Sequence, residues 1–227
     1  MAAYIHSYMH VFKEAGVRRT KAEALETRSV ILDAAEQVFF ERGVSQTSLT
    51  QIASHAGLTR GAIYWHFSGK GDLFMAMHER AYLPQRMFLE SQKLLDDERP
   101  LQALERTMRE SMRRFAKDER AKRVYSILVL RCEYVGEMES VMCAHREGED
   151  HMQDVIHAVF TKARAIGELH ADIDPRTASN VCVGAMTGIL TEWLRRNESF
   201  DLVEAADMTL GALFAGFRAV ERGARAA

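Results

Sequence analysis

TSLTQIASHAGLTRGAIYWHF (47–67) is the stretch on which the reading of this chain turns. Ser48 and Gln51 make a capping-box pair ahead of the apolar stripe Leu49, Ile52, Ala53 and Ala56, which predicts a short helix that Gly57 stops. Thr59 then caps another short helix, whose inward residues Ile63 and Phe67 stand four apart. The segment reads as helix, tight glycine-containing turn, helix. Tyr64, Trp65 and His66 follow one another directly, and three large side chains in succession cannot share one buried face. With Ile63 and Phe67 turned inward, Arg60, Gly61, Tyr64 and Trp65 face out.

That outward face has the chemistry of a reader of double-stranded DNA. In a helix-turn-helix the second helix enters the major groove and its first residues touch base edges. Gly61 has no side chain to hold the helix off the duplex. Thr59 and the free amides of the first turn suit phosphate, and Arg60 suits a guanine edge or the backbone. Tyr64 and Trp65 can donate their polar hydrogens to phosphate while their rings cover sugar. Thr47 and Ser48 head the first helix of the motif and Lys70 heads the helix after it, and these supply further phosphate contacts. Two bland readings stand beside this one: Tyr64 or Trp65 packs on the rest of the chain, and His66, between the two faces, is a satisfied structural histidine.

The surrounding charge agrees. The net charge of the 227 residues is only −2, but from Arg42 to Gly71 there is no carboxylate, while Arg42, Arg60, Lys70, His55 and His66 are present. Upstream, Lys13, Arg18, Arg19, Lys21 and Arg28 form a basic arm that Glu14, Glu23 and Glu26 dilute. A polyanion can dock on such a surface.

Farther out, the apolar spacing is helical nearly everywhere. Ile31, Ala34, Ala35, Val38 and Phe39 share one face of a helix that starts near Ala22 and ends at Gly43 in the left-handed conformation. A helix from Lys70 meets Pro84, which predicts a kink or an end there, and LDDERP (95–100) is a polar break with Pro100 placed for a first turn. Further helices are expected over 101–116, 119–134, 138–165, 175–196 and 201–222. No segment alternates with period two. The expected fold is all-α with about nine helices: an N-terminal arm at 1–16, a helix-turn-helix domain at 17–69 and a second helical domain at 70–227.

Composition narrows the function classes. With 47% hydrophobic and 27% charged residues the chain is that of a globular protein with ample core material. It has no run of eighteen apolar residues, and its N-terminus lacks the form of a secretory signal, so a cytoplasmic protein with no membrane partner is expected. Cys132, Cys143 and Cys182 are an odd, spread set that fits a reducing compartment. Cys143, His145, Glu149, His151 and His157 cluster in sequence but do not share a helical face. No H-E-x-x-H or C-x-x-C appears, so neither an enzyme nor a cofactor or metal site is expected.

TSLTQIASHAGLTRGAIYWHFSGKGDLF (47–74), with RSVILDAAEQVFFERGV before it, resembles the DNA-binding domain of the TetR/AcrR family of bacterial transcriptional repressors. Ile31, Ala34, Ala35, Phe39, Gly43, Thr47, Leu49, Ile52, Ala53, Ala56, Gly57, Thr59, Gly61, Tyr64, His66, Phe67, Lys70 and Leu73 fall in the family's order and spacing. The resemblance implies an operator-contacting set of Thr47, Ser48, Thr59, Arg60, Gly61, Tyr64, Trp65, His66 and Lys70. Gly69 and Gly71 depart from it, since the family usually has polar or charged residues there.

ILVLRCEYVGEM (127–138) and ILTEWLRRNESFDL (189–202) resemble the AcrR branch, whose members repress multidrug efflux pumps and bind aromatic or cationic compounds between these helices. By position this implies a ligand pocket lined by Tyr82, Leu104, Met108, Ser111, Tyr125, Leu128, Val129, Met152, Ile156, Val183, Met186 and Leu190. Methionine, of which the chain has 12, adapts to apolar partners of different shapes; the plain alternative is a helical core. Glu133 and Glu137 are acidic residues suited to attract cationic drugs; the plain alternative is that both are solvated. The last two helices carry Val181, Ala185, Gly188 and Ile189, then Met208, Leu210, Leu213, Phe214 and Phe217, with small residues at Gly184, Gly188, Gly211 and Gly216. In the family this pair forms a homodimer, the symmetry that a palindromic operator requires. The expected function is a repressor released from its operator by a hydrophobic or cationic effector, the ligand moving the helix that begins at Lys70 with Pro84 as pivot. The alternative is a repressor of the same family that answers to a metabolite, acyl compound or lactone.

Overall fold

In the computed structural model, residues 21–133 and 136–219 are described. The arm at 1–16 with Lys13, and Arg18 and Arg19 just after it, lie outside them, as does the side chain of Glu137. The described residues form nine α-helices: α1 (Lys21–Arg42), α2 (Leu49–His55), α3 (Arg60–His66), α4 (Lys70–Ser91), α5 (Pro100–Lys117), α6 (Glu119–Leu130), α7 (Glu139–Ala165), α8 (Pro175–Arg195) and α9 (Leu202–Phe217). One 3₁₀ turn, Gly136–Met138, precedes α7.

Local chemistry sets the ends of the first three helices as the sequence predicts. Gly43 closes α1 at φ +80°, and Gly57 turns the chain after α2 at φ +66°. Ser48 Oγ accepts from the Gln51 amide at 3.3 Å while Gln51 Oε1 accepts from the Ser48 amide at 2.7 Å. Thr59 Oγ1 accepts from the Ala62 amide at 3.2 Å. Replacing Ser48 by alanine removes the cap and is expected to cost about 0.5–2 kcal/mol, read as a lower thermal midpoint. The N-cap of α4, Gly69, offers no side-chain cap, but Asp72 of the first turn holds the residue before it: Asp72 Oδ2 accepts from the Ser68 amide at 2.8 Å and from Ser68 Oγ at 3.1 Å.

Three expected boundaries move. α4 does not end at Pro84 but runs through it to Ser91; the ring is exposed, and the missing N–H removes one bond from a 22-residue helix. α6 stops at Leu130 rather than 134, because the carbonyl of Arg131 turns to accept the Val44 amide at 3.0 Å. α9 stops at Phe217 rather than 222, because residues 217–219 pair with 168–170: the His170 amide donates to the Phe217 carbonyl at 2.8 Å and the Ala219 amide to the Glu168 carbonyl at 2.9 Å.

Two main apolar cores result. The first joins Ile31, Ala35, Phe39, Ile52, Ile63 and Phe67 of α1–α3 to Leu73, Phe74 and Met77 of α4 and to Val124, Ile127 and Leu128 of α6. The head is thus built on α4 and α6 rather than hung from a linker. The second core lies between α5, α7, α8 and α9, around Leu104, Phe160, Cys182, Leu210 and Phe214. Glu168 caps α5 from a distance, its carboxylate accepting from the Leu101 amide at 2.9 Å and the Gln102 amide at 3.2 Å.

Candidate nucleic-acid interface and ligand cavity

α3 has the two faces that its spacing predicts. Ile63 and Phe67 are buried in the head core, whereas Tyr64 is 47% and Trp65 70% exposed. Arg60 Nη2 donates to Tyr64 Oη at 2.9 Å, and the guanidinium lies over the Tyr64 ring, 5.2 Å from its centroid. Each therefore holds the other in place on the outer face, which lowers the entropy lost when either binds a partner. A Cβ at Gly61 would meet only Thr59 Oγ1, at 3.8 Å. Nothing inside the protein requires glycine there, so the bare backbone serves whatever approaches from outside. His66 is half-buried, its ring edge-on to Trp65 at 4.5 Å. Arg28 of α1 lies over the Phe67 ring at 5.1 Å, which adds a cation to the rim of α3 that the nominated set lacks.

Two nominated side chains are turned into the protein. Thr47 is buried and its hydroxyl donates to the Gly43 carbonyl at 2.7 Å. The Lys70 ammonium donates to the carbonyls of Val44 and Thr47 at 3.2 and 3.4 Å. Both close the α1–α2 turn, because its carbonyls need donors that no helix supplies. Ser48 is exposed but engaged in its cap.

The second feature is a cavity of about 410 Å³ between α4, α5, α7 and α8. Leu104, Met108, Ser111, Met152, Ile156, Val183, Met186 and Leu190 line it, together with Met112, Val155 and Thr187. Four methionines give it a soft, polarisable wall. Ser111 is buried and its Oγ has no hydrogen-bond partner in the protein, so a bound molecule with a polar atom can supply one. Arg86, Glu90, Lys93, Asp96 and His151 bring both signs of charge to the same cavity. Lys93 to Asp96 come from the α4–α5 connection, which the polar run LDDERP marks only as a break. Cys182, whose thiol burial pushes up to about 12, lies behind the wall with its sulfur 3.4 Å from Met108 Sδ.

The other four nominated residues lie elsewhere. Leu128 and Val129 pack in or against the head core, because α6 turns that face toward α1 and α4. Tyr125 packs on Phe115 at 5.8 Å, next to Trp193. Tyr82 lines a separate crevice of about 160 Å³ with Pro84 and Phe115. Its ring stacks on His78 at 4.3 Å, and His145 meets His78 edge-on at 5.0 Å.

Burial, aided by His145 and opposed by Glu149, lowers the pKa of His78 to about 4. An unfolded histidine titrates near 6.5, so in acid the unfolded chain binds the extra proton and the native contribution is lost as pH falls from 6.5 toward 4. About 2 kcal/mol of stability is expected to disappear between pH 7.5 and pH 5 in urea unfolding, and His78→Leu is expected to remove that slope.

α8 and α9 leave an unburied face. Val181 and Met208 are exposed, and the space beside Gly184, Gly188 and Gly216 is open. Leu210, Phe214 and Phe217 turn inward instead, and Gly211 faces Arg109 of its own chain at 3.3 Å. Among the described residues no three histidine, cysteine or acidic groups are placed to hold a metal ion, and no helix is long and apolar enough to cross a membrane.

Residues 31–77 match the bacterial regulatory proteins of the tetR family, and residues 99–218 match the C-terminal region of the MAATS-type transcriptional repressors. The chain belongs to the TetR family. It is 40% identical to the HTH-type transcriptional repressor BepR of Brucella suis biovar 1 (strain 1330), over 89% of this chain and 97% of that one. Its fold matches NalD, the secondary repressor of the MexAB-OprM multidrug efflux pump in Pseudomonas aeruginosa, with a TM-score of 0.78 and 34% identity over 88% of this chain and 99% of that one. The SmeT–triclosan complex matches with a TM-score of 0.75 and 31% identity over 87% and 93%. The N-terminal regulatory region of the family thus spans α1 to α4, and the C-terminal repressor region spans α5 to α9.

Proposed function

We propose that this repressor controls a multidrug efflux operon as a homodimer, reading a palindromic operator through two copies of α3. A hydrophobic or cationic drug-like molecule in the 410 Å³ cavity releases it. One observation carries the link: α4 lines the cavity with Gln85, Arg86, Leu89 and Glu90 and, at its other end, packs Leu73 and Phe74 into the head core. A ligand that displaces the far end of α4 therefore moves the head. The exposed faces of α8 and α9 are the dimer contact, and they hold the two heads about one DNA turn, roughly 34–36 Å, apart. The operator contacts come from Thr59, Arg60, Gly61, Tyr64, Trp65 and His66, with Arg28 and Ser48 beside them and Thr47 and Lys70 holding their scaffold. The repressors BepR, NalD and SmeT, to which the chain is similar, support this reading.

The test is fluorescence anisotropy on the duplex that the protein selects from a random pool, with and without triclosan. A coupling of about 1–3 kcal/mol weakens binding roughly 5- to 150-fold. Unchanged affinity at saturating triclosan, bound as shown by calorimetry, overturns induction through this cavity.

A further inference from the structure

Glu36 belongs to α1, yet the partners of its carboxylate all lie outside the head. Its side chain is 3% exposed and receives Arg123 Nη1 at 2.6 Å, Arg120 Nε at 3.3 Å and Arg80 Nη2 at 3.3 Å. Asp33, one turn earlier, takes Arg80 at 2.8 Å and Arg120 at 3.1 Å. Arg80 comes from α4, and Arg120 and Arg123 from α6. Two carboxylates of the head are thus held by three guanidinium groups from the two helices on which it sits.

α6 is pinned at its other side as well. Lys122, next to Arg123, is nearly buried and binds Glu198 at 3.1 Å. Glu198 lies in the α8–α9 connection, where Asn197 and Glu198 both take left-handed φ values of +52° and +58°. Consecutive residues of α6 therefore reach the head on one side and the turn between α8 and α9 on the other. At the lower end of α6 the Arg131 carbonyl accepts the Val44 amide.

We infer that Glu36 is the positioning residue for operator binding: it locks the orientation of the reading head on α6, and through α6 on the α8–α9 pair. This rests on the operator-reading proposal. Apolar contacts between α1, α4 and α6 hold the head in place but are non-directional, and they permit a slide or a tilt. Charge-assisted pairs with guanidinium groups fix direction. Removing the charge of Glu36 leaves Asp33, which is half-exposed and holds Arg80 and Arg120, as the remaining carboxylate among three guanidinium groups, and the repulsion of Arg123 from the other two opens the joint.

Full-length wild type, Glu36→Gln and Glu36→Asp are compared by hydrogen exchange and by binding to the duplex that the wild type selects. The Val44 amide reports the joint, Ile52 the interior of the head, and Leu210 the α9 core. In Glu36→Gln, exchange at Val44 is expected to rise by about tenfold or more while Ile52 and Leu210 stay as in wild type. Duplex affinity falls by about 5- to 150-fold, and Glu36→Asp restores most of both. Unchanged Val44 exchange in folded Glu36→Gln overturns the inference, as does an equal rise at all three amides, which marks mere loss of stability. Raised Val44 exchange with unchanged duplex affinity also overturns it. If Glu36→Gln does not fold, Arg123→Gln, at the half-exposed edge of the cluster, is read by the same criteria. A wild type that selects no duplex defeats the operator reading, and the exchange arm still decides whether Glu36 locks the joint.

Discussion

Phe39→Ala is expected to lower the free energy of unfolding by about 3–5 kcal/mol. Phe39 is fully buried and its ring packs against Phe74, 5.8 Å centroid to centroid, so it joins α1 to α4 inside the core that also takes in α2, α3 and α6. The alanine removes a whole ring, and the packed side chains of the surrounding core cannot close over the space. In a chain of this size the midpoint of thermal unfolding should drop by about 10 °C. Urea unfolding followed by circular dichroism checks the figure. A loss below about 1 kcal/mol would mean that the head core relaxes around the gap, contrary to its packing between α1 and the helices that α1 meets.

The second large effect concerns the cavity. Val183 lines it from α8 and is only half-buried, so a larger side chain there can enter the open space without displacing the backbone. Val183→Trp is expected to occupy the ligand's place. Duplex affinity without ligand should match wild type where the indole leaves α4 in place, and should fall toward the ligand-bound value where it pushes α4 as a ligand does. The weakening by triclosan, about 5- to 150-fold in wild type, should fall to about one. Anisotropy titrations with and without triclosan give both numbers from the same protein. Full induction in a folded Val183→Trp variant would place the effective ligand elsewhere, and the crevice beside Tyr82 and Pro84 is the next space on α4.

The cavity brings together some of the positions named from helical spacing and leaves others apart. Leu104, Met108 and Ser111 on α5, with Val183, Met186 and Leu190 on α8, recur at helical spacing, and the structure turns both stripes to one cavity. On α6 the same spacing carries Leu128 and Val129 to the head. Period shows that a helix has an apolar face, but not which neighbour the face meets. Thr47 and Lys70 are a similar case: both are polar and stand at helix starts, as phosphate ligands do, yet the α1–α2 turn takes their donors.

What the sequence alone determined is therefore local. The ends of α1, α2 and α3 at Gly43, Ser48, Gly57 and Thr59, and the inward turn of Ile63 and Phe67 against the outward turn of Arg60, Gly61, Tyr64 and Trp65, depend on residues within one or two turns of each other. Caps and helical period act over that range, so they can be read in a string. Tertiary structure alone decided that Glu36 would meet Arg80, Arg120 and Arg123, 44 to 87 residues away. It alone also decided that side chains from α4, α5, α7 and α8 would leave a space for a ligand. Ion pairs and cavities belong to the way helices are brought together, and no single stretch of the chain encodes that meeting.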